Sequence, residues 1–167
     1  MKGTSQWWHI SRGAISIIIF ASLIGIVVNL TFVVKVLRGE KTFRAEQRIE
    51  DIINKTGLTS ITLSEAKRAF DENSVVFVDS RNGDEFAEGH ISGAVNIPWE
   101  EFEIRSSELL VHIPEHIPLI TYCGGSCESS AELAEALVEM GYTEISILLN
   151  GWQLWIEADY PVESEKR

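Results

Sequence analysis

Acidic residues are absent from the first 39 positions of this 167-residue chain; all 25 lie at or after Glu40. Over that same stretch there are only 10 Lys and Arg, which leaves it a formal charge of −15. Phosphate backbones need a basic face, so nucleic acid is excluded as a partner. The excess charge reads instead as a soluble, self-repelling surface. Cysteine is scarce. Cys123 and Cys127, four positions apart, rule out a disulfide framework and leave either a small local bridge or a working thiol. Basic residues are missing between Arg105 and Lys166, so any site in that stretch has no cation of its own to hold an anion. Internal repeats and low-complexity tracts are also missing.

Charge of either sign is absent from Ala14 to Val34, AISIIIFASLIGIVVNLTFVV. About 20 apolar residues are enough to cross a bilayer as a helix, and Trp7 and Trp8 sit where an interfacial aromatic belt belongs. A cleaved signal peptide has a shorter apolar core followed by a small-x-small site, whereas Lys35-Val36-Leu37-Arg38 follows here. The expected organisation is a tail over 1–13, a transmembrane helix over 14–37, a juxtamembrane helix or linker over 38–58 and a folded domain over 59–167. The span makes the lipid bilayer a partner and the chain a single-pass membrane protein. Lys35, Arg38, Lys41, Arg44 and Arg48 outnumber Lys2 and Arg12, which by the positive-inside rule puts the domain on the cytoplasmic side. A signal-anchor with its short N-terminus inside gives the reverse. Arg44 to Lys55 alternates charge with Ile49, Ile52 and Ile53 at helical spacing.

Beyond residue 58 strand and helix signals alternate. Thr62 and Glu65 form a capping box ahead of a helix with Leu63, Ala66 and Phe70 on one face. Val75 to Val78 is a buried-strand run ending at Asp79-Ser80-Arg81, and Val95 to Ile97 a short strand before Pro98. A helix is expected from Trp99 to Leu110, then strands over Leu119–Tyr122 and Ile145–Leu149, and a last helix from Gly151. This order predicts an α/β domain with a mostly parallel sheet covered on both faces. Sites in such sheets lie at the carboxyl ends of strands, where Asp79 and Cys123 both fall.

The strand Leu119–Tyr122 runs into Cys123-Gly124-Gly125-Ser126-Cys127-Glu128-Ser129-Ser130. Ser129 with Glu132 has capping-box spacing, which starts a helix that Gly141 ends. An exposed cysteine in front of a helix N-terminus is placed to be a reactive thiolate, because the helix dipole and free loop N–H groups favour an anion.

Val78-Asp79-Ser80-Arg81, then Phe86 and Gly89-His90-Ile91-x-Gly93-Ala94-x-Asn96-Ile97-Pro98, resembles the N-terminal signature of rhodanese-like domains. The Tyr122-Cys123 loop and Asn150-Gly151-Trp152-x-x-Trp155 resemble its second half, so the likeness runs from about Ile61 to Val162. It implies a central parallel sheet flanked by helices, and a sulfurtransferase without cofactor or metal. Cys123 would take a sulfane sulfur from a donor and pass it, as a persulfide, to a thiol or other nucleophilic acceptor. Residues 124–129 (Gly124, Gly125, Ser126, Cys127, Glu128, Ser129) would form the substrate-binding loop. Its N–H groups would cradle the sulfur, and the two glycines would allow the backbone angles this needs. Asp79 and Arg81 would pair as a supporting structural element.

Two departures from the family pattern stand out. The usual loop carries an arginine before a serine; this chain has Ser126, Cys127 and Glu128 there, and the loop is one residue longer if Ser130 is the matching serine. The Glu128 carboxylate is expected to repel thiosulfate. Cys127 is either a resolving thiol able to form a reversible disulfide with Cys123, or a small loop side chain without a role. A Cys-x5-Arg phosphatase loop is excluded, because that position is Ser129. A zinc set of His112, His116, Cys123 and Cys127 is disfavoured by Pro114 between the histidines. His90 reads as a structural residue bonding backbone, and Trp152 and Trp155 as core. The alternative to an enzyme is a non-catalytic or redox-sensing binding module built on the Cys123/Cys127 pair.

Overall fold

The computed structural model describes residues 40–165, apart from 112 and 126. The expected tail and membrane span, 1–13 and 14–37, lie outside them, and so does Ser126 of the cysteine loop. Among the described residues no helix is long and apolar enough to cross a membrane.

Helix α1 (Glu40–Thr56) is followed by β1 (Thr59–Ser60), α2 (Leu63–Asp71), β2 (Val76–Asp79), α3 (Gly83–Glu88), β3 (His90–Ile91) and β4 (Val95–Asn96). Then come α4 (Trp99–Leu109), β5 (Leu119–Tyr122), α5 (Glu128–Glu139), β6 (Ile145–Leu148), α6 (Gly151–Glu157) and β7 (Val162–Glu163). Five strands form one sheet in the order β1-β6-β5-β2-β4, with every neighbouring pair parallel. β3 and β7 form a small antiparallel pair of their own. The sheet is the α/β architecture that the strand–helix alternation predicts.

Side chains alternate across a strand, so each strand feeds two cores. Val78, Leu119 and Ile147 pack on one face with Ile49 and Ile52 of α1, Phe102 of α4 and Leu133, Ala134 and Leu137 of α5. Phe77, Ile120, Tyr122 and Leu148 pack on the other with Ala66 of α2 and Trp155 of α6. Burial of each large apolar side chain contributes about 1.5–3 kcal/mol. Helix α2 starts on the expected capping box: Thr62 Oγ1 accepts from the Glu65 amide at 3.3 Å, and Glu65 Oε2 accepts from the Thr62 amide at 3.0 Å.

From Arg44 onward, the segment expected to link membrane and domain belongs to the compact unit Arg44–Arg167. Ala45, Ile49 and Ile52 of α1 are buried, at spacings of four and three that put them on one helical face. Arg48 pairs with Glu132 at 3.5 Å and Lys55 with Glu135 at 2.6 Å, both on α5. Exposed ion pairs of this kind add little. The apolar stripe is what holds the helix to the sheet.

Candidate active site

β5 is the middle strand of the sheet and β2 lies beside it, with Asp79 opposite Tyr122 in the register. The carboxyl ends of these two strands therefore deliver Asp79-Ser80-Arg81 and Cys123 side by side. Between them opens a cleft of about 340 Å³, lined by both cysteines and by Arg81, Gly124, Gly125, Trp99 and Ser129 among others.

The β2 corner is saturated with hydrogen bonds. Asp79 is fully buried, and Arg81 donates to its carboxylate from Nε at 3.0 and 3.1 Å, from Nη2 at 2.6 Å and from its own amide at 3.0 Å. Arg81 Nη2 also donates to the Gly89 carbonyl at 2.8 Å, and the guanidinium lies 4.5 Å from the centre of the Trp152 ring. Burial opposes the charge of Arg81. The hydrogen bonds to Asp79 and its charge outweigh that and hold the guanidinium pKa above its ordinary value. Asn96 Nδ2 donates to the carbonyls of Asp79 (3.1 Å) and Arg81 (2.8 Å), which fixes the turn. His90 takes the structural part expected of it: Nδ1 lies 2.8 Å from the Phe86 carbonyl, and the ring stacks on Phe86.

The β5 corner is built differently. Cys123 and Cys127 are both free thiols, with their sulfurs 2.8 Å apart. The Asn150 amide donates to Cys127 Sγ at 2.7 Å. The hydrogen bond from the Cys127 thiol is the largest influence on Cys123; burial opposes it, and the Gly125 amide, the Ser130 hydroxyl and the Cys127 amide assist it. Together they hold the Cys123 thiol below its ordinary range, at about 7. Cys127 moves the other way, upward, because its proton is committed to Cys123 and because it is buried. The Trp152 backbone amide donates to the Cys123 carbonyl at 3.1 Å. Gly151 sits so close to β5 that a Cβ on it would lie 2.7 Å from Tyr122 Cβ. The start of α6 is thus pinned against the loop.

Several expectations for this loop are corrected. Cys123 is not exposed: only 2 % of its surface is accessible, and it lines the cleft. Helix α5 begins at Glu128 with Cys127 in the N-cap position, so Ser129 is not the cap. Ser129 instead shares a hydrogen bond with Ser80 at 3.0 Å, and that tertiary contact overrides the local capping-box pattern. Among the described residues of the loop the left-handed one is Cys127 (φ 59°), and Gly124 and Gly125 lie outside that region. Gly124 is needed for space: a Cβ there would meet Arg81 Cδ at 2.9 Å. Glu128, in the first turn of α5, does not line the cleft; the carboxylates that do are Glu85, Glu100 and Glu101. Glu101 is paired with Arg105, and the one guanidinium lining the cleft, Arg81, is spent on Asp79.

The arrangement offers a low-pKa thiolate, polar donors around it and a second thiol, inside a cleft of net negative charge. Among the described residues no cluster of three or more His, Cys, Asp or Glu is placed to hold a metal ion. Sequence reasoning missed the part that five residues play here. Trp152 covers Arg81 rather than only filling core, Asn150 presents its amide to Cys127, and Glu85, Glu100 and Glu101 set the charge of the cleft. The Asn150-Gly151-Trp152 run was visible as a motif, but its approach to β5 is a tertiary fact.

Comparison with known proteins gives consistent results. The family model described as "Rhodanese-like domain" matches residues 62–158. YibN of Escherichia coli K12 is 30% identical over 103 residues, covering 61% of this chain and 70% of that protein. The thiosulfate sulfurtransferase GlpE of Coxiella burnetii is 26% identical over 103 residues, covering 62% of this chain and 91% of its own. Among solved structures, a rhodanese-related protein from Thermoplasma volcanium superposes with a TM-score of 0.52 at 25% identity, covering 63% of this chain and 97% of that one.

Proposed function

This chain belongs to the rhodanese-like domain family, and from that premise we propose that it is a sulfurtransferase acting through a persulfide on Cys123. The observation that carries the reading is the seat of Cys123: a thiol held near pKa 7 at the end of the central strand, lining the cleft. At neutral pH about half of it is thiolate, which is the nucleophilic form. The thiolate attacks the outer, sulfane sulfur of a donor. A bond forms from Cys123 Sγ to that sulfur, the donor's own sulfur–sulfur bond breaks, and the rest of the donor leaves with the electron pair, as a thiolate from an organic persulfide or as sulfite from thiosulfate. An acceptor thiolate then attacks the outer sulfur and Cys123 departs as the thiolate it began as. The Gly125 and Cys127 amides and the Ser130 hydroxyl favour the anion in each state, so the reading requires no metal or cofactor.

The name of GlpE makes thiosulfate the first donor to test. The carboxylates of Glu85, Glu100 and Glu101 argue that a dianion is a poor substrate here and that a donor of lower charge, such as an organic persulfide, is a better one. The same reading holds the domain to a bilayer through residues 14–37, on the cytoplasmic side. That part is supported by the uncharged run of Ala14–Val34 and the basic residues that follow it.

Turnover with a thiol acceptor tests the proposal. Cysteine persulfide, which when ionised carries one net negative charge against two on thiosulfate, is expected to give a kcat/KM at least ~10-fold above that of thiosulfate at low ionic strength. Cys123→Ser is expected to reduce both to background. Transfer that persists in Cys123→Ser contradicts the assignment of Cys123.

A further inference from the structure

Cys127 takes no bond-making part in the transfer just described, yet its sulfur lies 2.8 Å from that of Cys123 and both line the same cleft. Its backbone is in the left-handed region (φ 59°, ψ 6°). A residue other than glycine holds that conformation at a cost of about 1–3 kcal/mol. Glycine would make the turn without strain, so the thiol is present against the preference of the backbone. A donor is also aimed at it: the Asn150 amide, 2.7 Å from Cys127 Sγ, comes from a residue that is itself left-handed (φ 53°). A hydrogen bond to sulfur from a fixed amide stabilises the thiolate form. In the resting pair the Cys127 proton is committed to Cys123 and the thiol pKa is held upward. Once Cys123 carries a sulfur, the outer S⁻ can take that proton, and the Asn150 amide supports the Cys127 thiolate left behind.

We propose that Cys127 is a resolving thiol that discharges the Cys123 persulfide as sulfide when no acceptor arrives, a proposal that rests on the sulfurtransferase reading above. In the loaded state Cys123 carries S–S⁻ and Cys127 is a thiol. The Cys127 proton passes to the outer sulfur, and Cys127 Sγ attacks Cys123 Sγ. The bond between the two cysteine sulfurs forms, the bond from Cys123 Sγ to the outer sulfur breaks, and HS⁻ leaves. Three sulfurs, one proton and one negative charge stand on each side. The sulfane sulfur is reduced by two electrons, and the cysteine pair is oxidised to a disulfide. A dithiol reductant then restores the pair by thiol–disulfide exchange. The reaction class that must follow is therefore disulfide reduction by a dithiol, and a loaded chain without an acceptor ends as sulfide donor and disulfide together. Cys127 acts on the persulfide itself, and the left-handed turn at the head of α5 is what brings it within reach.

The test is a single turnover of the reduced full-length chain with glutathione persulfide and no added reductant. The reaction is quenched with iodoacetamide, intact mass is recorded, and sulfide is measured above the donor-alone background. Wild type is expected to release about one sulfide per chain and to leave both cysteines unalkylated and joined. Cys127→Ser is expected to retain one extra sulfur and to release sulfide at least ~10-fold more slowly. Cys127→Gly, which removes the backbone strain together with the thiol, is expected to behave as Cys127→Ser does and guards against a folding defect. Wild type that keeps the extra sulfur with Cys127 alkylated overturns the resolving role and leaves the sulfurtransferase intact. Sulfide release by Cys127→Ser at the wild-type rate overturns it too. Absence of sulfur uptake in wild type and in both variants overturns the transfer reading and the resolving role with it.

Discussion

Two adjacent strand ends meet at the cleft, and they are built on opposite plans. At the end of β2 every charge is answered: Asp79 accepts four hydrogen bonds from Arg81, the guanidinium is capped by the Gly89 carbonyl and covered by Trp152, and Asn96 ties down the turn. At the end of β5 the groups are held but not spent. Two thiols share a proton, one of them on a left-handed backbone, and a glycine stands where any side chain would strike Arg81. A buried ion pair with its hydrogen bonds filled has nothing left to offer a substrate. A thiolate kept near neutrality by a neighbour's proton does. The comparison places rigidity on one strand and reactivity on the next, with Gly124 as the seam between them.

Breaking the β2 corner should hurt folding most. Asp79→Ala leaves the buried Arg81 charge without its partner and is expected to cost about 3–5 kcal/mol, read by urea or thermal unfolding of the full chain. A melt within experimental error of wild type would show that the pair is not a structural element. The seam comes next. Gly124→Ala drives a Cβ into the pinned Arg81 side chain, and about 1–3 kcal/mol of stability should be lost in the same assay. If the loss is absent, the loop has room that the 2.9 Å approach denies.

The β5 corner is sharpened by titration. Below pH 7 Cys123 is protonated and slow; its alkylation rate should rise with pH and be half-maximal near about 7. The largest cause of that low value is the Cys127 thiol, so Cys127→Ala should carry the midpoint upward by about one unit or more, toward the ordinary thiol value. A midpoint that stays at 7 in the variant assigns the effect to the amides and Ser130 instead. The smallest effect concerns the charge of the cleft. Glu100→Lys should improve kcat/KM for thiosulfate by about 2–5-fold at low salt, and the gain should fade as salt screens it. Glu128→Arg, placed outside the cleft, should change it less.

Much of this contrast is legible in the amino-acid sequence. Strand periodicity located Asp79 and Cys123 at the carboxyl ends of strands, though not that the two strands are neighbours, and Thr62 with Glu65 marked a helix start that the structure keeps. These are local patterns, and local physics decides them. The places where the reading turned out otherwise are ones where a distant contact won. Ser129 and Glu132 form as good a capping pattern as Thr62 and Glu65, but Ser80 claims the Ser129 hydroxyl and the helix starts at Glu128. The glycines of the loop were read as giving the backbone its freedom; among the described residues of the loop the left-handed conformation falls on Cys127, where no propensity would look for it. The carboxylates of the cleft come from α3 and α4, some 20 to 40 residues before the cysteine loop in sequence, and only the sheet order brings them to it. Helix α1 falls in the segment read as a juxtamembrane helix or linker; it is a helix, and its Ile49 and Ile52 close one of the two cores.

The account turns on where the sulfur goes, and Cys127→Ser, which blocks discharge, is the background in which to look. Exposed to glutathione persulfide, this variant should gain one sulfur, and peptide mapping should place it on the fragment that carries Cys123. Adding Cys123→Ser should abolish the gain. A Cys127→Ser chain that takes up no sulfur, or a gain that survives the loss of both cysteines, would contradict the claim that Cys123 is the sulfur carrier.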